Sequence, residues 1–259
     1  MKKLYARVLE KAISIGVINT ESKILVVGGG PNDFLTLRHF NFQNVVISNL
    51  APHGNQTDFN PYTWVRSDLN ELKFENNSFD LVIVSAALHH LYSPHRGLCE
   101  MLRVSSKAVI FIESSDNILS KFARKIGFVP SYEIDAILYD GKGGVENSSI
   151  PNFIYRWTRS EVKKTVNSFL PHTSNSFCFF HNYELPVARL NRSKNIFIKA
   201  TLPLIWFLKL FLKTFLPRQA NEFGVLIIKG QKLHPWLIGK TNNPKLNLAY
   251  LRENYNTTL

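Results

Sequence analysis

The chain has 259 residues and a formal net charge of +12, and hydrophobic residues make up 45% of the sequence. This length and apolar fraction suit one large α/β domain and argue against global disorder. The two cysteines, Cys99 and Cys178, form no C-x-x-C pair, so the sequence predicts no disulfide framework and no metal site. A reducing, cytoplasmic compartment fits this cysteine content best.

The positive charge is confined to the C-terminal part of the chain. Residues 1–150 contain 15 Lys and Arg and 15 Asp and Glu, whereas residues 151–259 contain 16 and 4. Such asymmetry indicates an anionic partner, for which a membrane surface, a phosphorylated substrate and nucleic acid are the candidates. A solvated basic surface without a partner is the alternative.

Short apolar runs alternate with helical patterns through the first half of the chain. Buried strands are predicted at 24–27, 44–48, 62–66, 79–84 and 107–112. Helices are predicted at 33–40 and 94–103 between them. Because β and α units alternate, we expect right-handed crossovers and a parallel sheet.

The second half of the chain is less regular. Helices are predicted at 118–126 and at 158–169, the second opened by a capping-box pattern from Thr158 to Glu161. Strands are predicted at 176–183 and 223–229. An insertion with a very apolar helix at 202–216 separates these two strands.

A glycine turn follows the first predicted strand. Gly28, Gly29 and Gly30 precede Pro31, at the point where ligands bind in open α/β sheets, beyond the carboxyl ends of the strands. Glycine lets the backbone approach a ligand closely, and the next helix presents free N–H groups. A plain structural turn is the alternative interpretation.

Polar residues also follow the next strands. Asn49 stands 21 residues after Gly28, where a ribose-binding acid is usual. Asp68 could accept a hydrogen bond from an adenine amino group, with Leu69 beside the ring. Ser85 ends the fourth strand. These residues are the candidate contacts of a nucleoside-containing cofactor.

In chain order, five short runs resemble the motifs of class I S-adenosylmethionine-dependent methyltransferases, in the type 11-like branch. They are Gly28–Pro31, Asp68, Asn77–Asp80, Leu88–Leu91 and Glu100–Val104. The resemblance covers residues 22–114 and implies S-adenosylmethionine (SAM) as cofactor. It also implies a Rossmann-like, seven-stranded, mostly parallel sheet with helices on both faces. The antiparallel last strand would be 223–229, and 176–183 would be its neighbour.

On this basis we predict a single methyltransferase domain over residues 1–259. Its parts are a SAM-binding half at 20–115, a lid and substrate-side segment at 116–175, the last strands at 176–230 with a helical insertion at 190–220, and a tail at 231–259.

The sequence departs from the family pattern at three positions. Val26 and Asn49 stand where the family usually has acids, and Asn32 stands where it often has glycine. These departures leave open a non-catalytic SAM-binding or scaffold protein on the same fold. An NAD site is disfavoured because Asp33 occupies the third glycine position of that motif.

Candidate catalytic and substrate residues follow the later strands. His90 and Glu113 are the candidate bases, and the alternatives are a cofactor contact for His90 and a structural hydrogen bond for Glu113. The segment 143–157 is predicted to cover the site, with Asn147, Tyr155 and Arg156 as polar substrate contacts. A surface ion pair is the alternative for Arg156.

The sequence therefore predicts a methyltransferase acting on an oxygen or nitrogen of a small molecule, a glycan or a lipid-linked acceptor. An RNA methyltransferase is the alternative that the basic half suggests. The fourth strand ends in Ser85-Ala86-Ala87-Leu88, and this lacks the N/D-P-P-Y motif of amino-methylating base enzymes.

The helix at 202–216 predicts a peripheral membrane contact. Lys209 and Lys213 share one face of an otherwise apolar helix. The uncharged run is too short to cross a bilayer, which needs about 20 apolar residues. We expect residues 189–218 to bind an anionic membrane surface on its inner, cytoplasmic face. Packing on the sheet or at a dimer interface is the alternative.

Overall fold

The computed structural model describes residues 3–51, 56–138, 141–184 and 202–255, and it describes the side chains of all of these except 56, 57 and 202–206. Its centre is a seven-stranded sheet. The strands are β1 (Lys23–Val27), β2 (Asn44–Asn49), β3 (Thr63–Arg66), β4 (Phe79–Ser85), β5 (Ser105–Ser114), β6 (Ser176–Asn182) and β7 (Glu222–Ile228).

The strand order is β3-β2-β1-β4-β5-β7-β6. β1 to β5 pair in parallel, and β7 is antiparallel to both β5 and β6. The chain order reverses direction between β1 and β4, which is where this class of sheet opens a crevice for a ligand. The predicted mostly parallel sheet with its antiparallel last strand is therefore confirmed.

Seven α-helices are described around the sheet. They are α1 (Lys3–Ser14), α2 (Pro31–His39), α3 (Pro94–Val104), α4 (Ile118–Lys125), α5 (Arg159–Phe169), α6 (Leu202–Phe215) and α7 (Leu248–Tyr255). A two-stranded hairpin of β8 (Leu237–Lys240) and β9 (Asn243–Leu246) precedes α7. The sequence predicted no regular structure in this tail.

The strands of the sheet are buried on both faces. In β1, Leu25 and Val27 join a core with α3 and α5, whereas Ile24 and Val26 join a second core with α1 and α2. Successive side chains of a strand point to opposite faces, so a strand covered on both sides must be apolar throughout. Val26 thus contributes to the core beneath α1 and α2.

The predicted capping box opens α5. The Thr158 hydroxyl accepts a hydrogen bond from the Glu161 backbone N–H at 3.1 Å, and the Glu161 carboxylate accepts one from the Thr158 N–H at 2.8 Å. Val162 and Val166 then face the sheet. This cap fixes where α5 begins and, with it, the position of the preceding Trp157, which is fully buried.

A histidine surrounded by arginines lies at the end of the edge strand β6. Arg159 of α5 donates a hydrogen bond to His181 Nε2, and Arg7 of α1 donates one to the His181 carbonyl at 3.4 Å. Burial lowers the pKa of His181 to about 4, and the positive charges of Arg159, Arg218 and Arg7 add to this effect. His181 is therefore neutral at neutral pH and accepts from Arg159.

We predict that this histidine makes the fold sensitive to acid. Its pKa is about 4 in the folded chain and about 6.5 when unfolded. Between these values the unfolded chain binds more protons, so the contribution is complete above about pH 6.5 and is lost toward about pH 4. Thermal unfolding of the parent and of His181→Gln, at about pH 7.5 and about pH 5, measures this loss.

The glutamine cannot titrate, so the parent should lose about 2 kcal/mol more than the variant on acidification, or a Tm difference of about 4–8 °C. All other titrating groups are common to both proteins and cancel in the comparison. Equal acid-induced losses in the two proteins would contradict the assignment.

Candidate functional site

The glycine turn between β1 and α2 uses each glycine differently. Gly28 has a φ of +61°, and a Cβ there would collide with the Cβ of Ala87. At Gly29 a Cβ would come within 2.8 Å of Ile47 and Val26 side-chain atoms. At Gly30 a Cβ would meet nothing within 4 Å. The first two glycines therefore permit close packing, and the third borders open space.

Asp33 stabilises the start of α2. Its carboxylate accepts a hydrogen bond from the Gly30 N–H at 3.0 Å, and Pro31 occupies the first helical turn. A carboxylate near a helix N-terminus is favoured by the partial positive charge of that end. The residue that occupies the third glycine position of the NAD motif thus holds the turn in shape.

A cavity of about 220 Å³ opens beside this turn, at the carboxyl ends of the parallel strands. Six residues predicted from the sequence line it, namely Gly28, Asn49, Asp68, Leu69, His90 and Asn147. They come from the ends of β1, β2, β3 and β4 and from the loop before α5. Residues from five separate segments therefore meet in one pocket.

Asn49 ties two strand ends together on one side of the pocket. Its side-chain amide donates to the Gly29 carbonyl at 3.0 Å, and its Oδ1 accepts from the Ala51 N–H at 3.1 Å. The neighbouring Leu50 and Ala51 line the pocket too, although the sequence did not single them out. Asn49 thus positions the turn after β2 against the glycine turn.

A chain of hydrogen bonds links the pocket to the loop around Glu146, which covers it. Asp68 Oδ1 accepts from the N–H and the side-chain amide of Asn70 at 2.8 and 3.0 Å. The Asn70 amide also donates to Glu146 Oε1 at 2.8 Å, and this oxygen accepts from the Tyr92 N–H at 3.2 Å. Sequence reasoning missed Asn70 and Glu146. The carboxylate of Glu146 holds the loop that contains Gly143 and Gly144 over the pocket.

Glu113, at the end of β5, lies beneath the pocket and is 1% exposed. Its Oε1 accepts hydrogen bonds from the N–H groups of Ala87 and Leu88 at 2.9 and 2.8 Å. Its Oε2 contacts His89 Nδ1 at 2.7 Å. A buried carboxylate needs such partners, and here they fix the turn that follows β4.

A second carboxylate reaches the two histidines from the segment before α5. Glu133 Oε2 lies 3.2 Å from His89 Nε2 and 3.5 Å from His90 Nε2. Burial disfavours a charged His89, but Glu113 and Glu133 outweigh it and raise the pKa of His89 to about 10. Burial and the neighbouring His89 lower the pKa of His90. The hydrogen bond with His89 lowers the pKa of Glu133 to about 2.

The other predicted residues lie outside the lining of the pocket. The Tyr155 hydroxyl donates to Glu161 at 2.8 Å, and Arg156 donates to the Pro130 carbonyl at 2.8 Å. These bonds connect the loop before α5 to its surroundings. Of the remaining four, Gly29 and Ser85 are next to the lining residues Gly28 and Ala86, whereas Gly30 and Pro31 lie farther along the glycine turn.

Residues 34–112 match the model of a methyltransferase domain family. A search among curated proteins returns no significant match to the chain. The matched segment runs from α2 to the end of β5. It thus includes the ends of β2, β3 and β4, where Asn49, Asp68 and His90 line the pocket.

Solved structures share the fold at low sequence identity. The YcgJ protein of Bacillus subtilis is 12% identical, with a TM-score of 0.54 over 87% of this chain and 99% of the other. A SAM-dependent methyltransferase of Archaeoglobus fulgidus is 13% identical, with a TM-score of 0.51 over 88% and 95%. The family match over residues 34–112 and the order of the seven strands support a class I methyltransferase fold, with SAM as the cofactor.

Proposed function

We propose that the chain transfers a methyl group from SAM to an oxygen or nitrogen of an amphiphilic acceptor that it meets at a membrane surface. The observation that supports SAM as the cofactor is the pocket at the ends of β1 to β4. The observation that carries the choice of acceptor is a set of large apolar side chains exposed on α4, on α6 and on the segment that covers the pocket.

The pocket fits a nucleoside-containing cofactor. Open space in front of Gly30 leaves room for a ligand against the backbone at the start of α2. Asp68 offers carboxylate oxygens and Leu69 an apolar side chain in the same wall. Bound SAM supplies a methyl group already activated on a sulfonium, so the chain must mainly align it and exclude water.

The covering segment provides that exclusion. Gly143 and Gly144 line the pocket with Glu146 and Asn147, which both have positive φ values, 51° and 58°. The hydrogen bond between Glu146 and Asn70 joins this segment to the β3 side of the pocket. His90 also lines the pocket. The resemblance to class I methyltransferases implies that the residue at this position packs against the cofactor.

α6 is apolar, and its described side chains are mostly exposed. Phe207 is 70% exposed and Phe215 is 66% exposed, and Leu210 and Phe211 are exposed between them. A large cluster of exposed apolar side chains on a protein surface marks an interaction site. Within the described residues, no helix is both long enough and apolar enough to span a bilayer.

α4 carries a matching apolar stripe. Ile118 and Phe122 lie four residues apart on one side of α4, and Ile126 follows directly after the helix; all three are exposed. The backbone of α4 is tied to the turn that follows α6, because the Leu119 N–H donates to the Gln219 side chain at 3.3 Å. The exposed apolar residues of α4 and α6, which we call the apolar face, therefore flank one turn.

Basic residues accompany the apolar face. Lys213 and Arg218 are exposed on α6 and on the turn after it, and the chain from 151 onward has an excess of 12 positive charges from its 16 basic and 4 acidic residues. Each basic residue near an anionic lipid surface contributes about 1 kcal/mol. An apolar helix with flanking cations is suited to lie in the interface of an anionic bilayer.

Two glycine variants test the cofactor part of the proposal. Gly30→Val should fold normally, since its Cβ meets open space, but should lower the affinity for SAM on the order of tenfold or more, about 1.4 kcal/mol. Gly28→Val should be destabilised by about 1–3 kcal/mol, because a branched side chain is strained at positive φ and would collide with Ala87. Calorimetric titration with SAM and thermal unfolding measure the two effects.

The parent protein should bind one SAM per chain. A parent that fails to bind SAM at millimolar concentration would refute the cofactor assignment. A Gly30→Val protein that binds as tightly as the parent would place the cofactor elsewhere.

Flotation with lipid vesicles tests the membrane part. The parent should float with vesicles of phosphatidylcholine and phosphatidylglycerol at low salt, and less with phosphatidylcholine alone or at high salt. The double variant Phe211→Glu and Phe215→Glu should remain at the bottom of the gradient. Leu35→Glu, which replaces an exposed leucine on α2, is the matched control and should float like the parent.

If the parent stays at the bottom with both vesicle types at low salt, the membrane contact is wrong. Copurification with RNA, removed by high salt, would instead favour a nucleic-acid acceptor. Neither outcome bears on SAM binding, which the glycine variants test separately.

A further inference from the structure

We propose that His89, His90 and Glu133 form a binding site for a divalent transition-metal ion beside the cofactor pocket. Each residue offers one ligand atom, and these atoms all lie within 4.8 Å of one another. Among the described residues this is the group of histidine, cysteine and carboxylate side chains that could share an ion.

The two distances from Glu133 match the edges of a metal coordination polyhedron. Zinc binds imidazole nitrogen at about 2.0–2.1 Å and carboxylate oxygen at about 2.0–2.2 Å, so two ligands in a tetrahedron are roughly 3.4 Å apart. Glu133 Oε2 lies 3.2 Å from His89 Nε2 and 3.5 Å from His90 Nε2. The ligand atoms of the two histidines are within 4.8 Å of each other, so an ion could enter between the three side chains once the two imidazoles move closer together.

The surroundings of His89 are those of a metal ligand. Its Nδ1 contacts the buried Glu113 carboxylate at 2.7 Å, which turns Nε2 toward Glu133. Metal-binding histidines commonly donate their second N–H to a carboxylate in this way, which fixes the tautomer and the ring orientation. His89 is 8% exposed, so the ring is held in place by packing as well.

Asn152 adds a second, independent observation. It is 1% exposed, and its Nδ2 lies 3.3 Å both from Glu133 Oε2 and from the His89 carbonyl. Its Oδ1 is buried without a hydrogen-bond partner in the part of the chain that the structure describes. Buried polar atoms are usually paired, so the Asn152 side chain, whose amide nitrogen meets Glu133, is expected to bind a further group through its oxygen.

The charges at the site favour a cation. Two carboxylates, Glu113 and Glu133, converge on His89 in a largely buried position, and a divalent ion with neutral imidazoles would balance them. Two imidazoles and one carboxylate suit Zn²⁺, Fe²⁺ or Co²⁺ rather than Mg²⁺ or Ca²⁺, which prefer oxygen ligands throughout. His90 lines the pocket, so an acceptor oxygen or nitrogen could complete the coordination, a role that rests on the proposed function.

Titration of the tag-free, chelator-treated full chain with ZnCl₂, without SAM, tests the site. We expect one Zn²⁺ per chain, and visible d–d absorption when CoCl₂ replaces ZnCl₂. Glu133→Gln and His90→Ala should each weaken Zn²⁺ binding at least tenfold. His39→Ala, at an exposed histidine of α2, is the matched control for adventitious histidine binding and should leave the affinity unchanged.

A parent protein that binds no Zn²⁺, or one whose affinity both site variants leave unchanged, would overturn the proposal and leave His89 as a protonated bridge between two carboxylates. Circular dichroism of each variant establishes whether it is folded. If His90→Ala does not fold, the Glu133→Gln variant, which changes a half-buried side chain, still tests the site. SAM titration of the metal-free parent does not depend on the metal site. A failure of the metal proposal can therefore be distinguished from a failure of the cofactor assignment.

Discussion

The site depends on one buried carboxylate, that of Glu113 at the end of β5. It accepts hydrogen bonds from the Ala87 and Leu88 N–H groups and contacts His89, so it fixes the turn after β4 from the neighbouring strand. Ala87 in turn lies against Gly28, where no side chain can be accommodated. A buried carboxylate without these partners would be costly, so Glu113 must keep its hydrogen bonds to the turn after β4. These bonds and the contact between Ala87 and Gly28 fix the ends of β1, β4 and β5 relative to one another.

Much of the fold could be predicted because parallel strands buried on both faces appear as apolar runs of β-branched residues. The predicted strand at 24–27 lies within β1 for this reason, and the run at 107–112 lies within β5. The capping pattern at Thr158 located the start of α5 because its two hydrogen bonds are local in sequence. Local chemistry and periodicity were sufficient for these elements.

The cover of the pocket could not be predicted in the same way. Glu133 meets His89 across 44 positions of chain, in a loop without periodicity. Glu146 reaches Asn70 through a similar loop, and the β8–β9 hairpin is built from short strands in a polar tail. The path of such loops is set by tertiary packing, so sequence spacing gave no signal for a site that combines His89, His90 and Glu133.

The pocket at the ends of β1 to β4 is the proposed binding site of the cofactor. A crystal structure of the chain with S-adenosylhomocysteine tests it most directly. We expect the ligand in the cavity between Gly28 and the covering segment, with its adenosyl group near Asp68 and Leu69 and its amino-acid end near the glycine turn. Electron density for the ligand at any other place, with this cavity filled only by solvent, would contradict it.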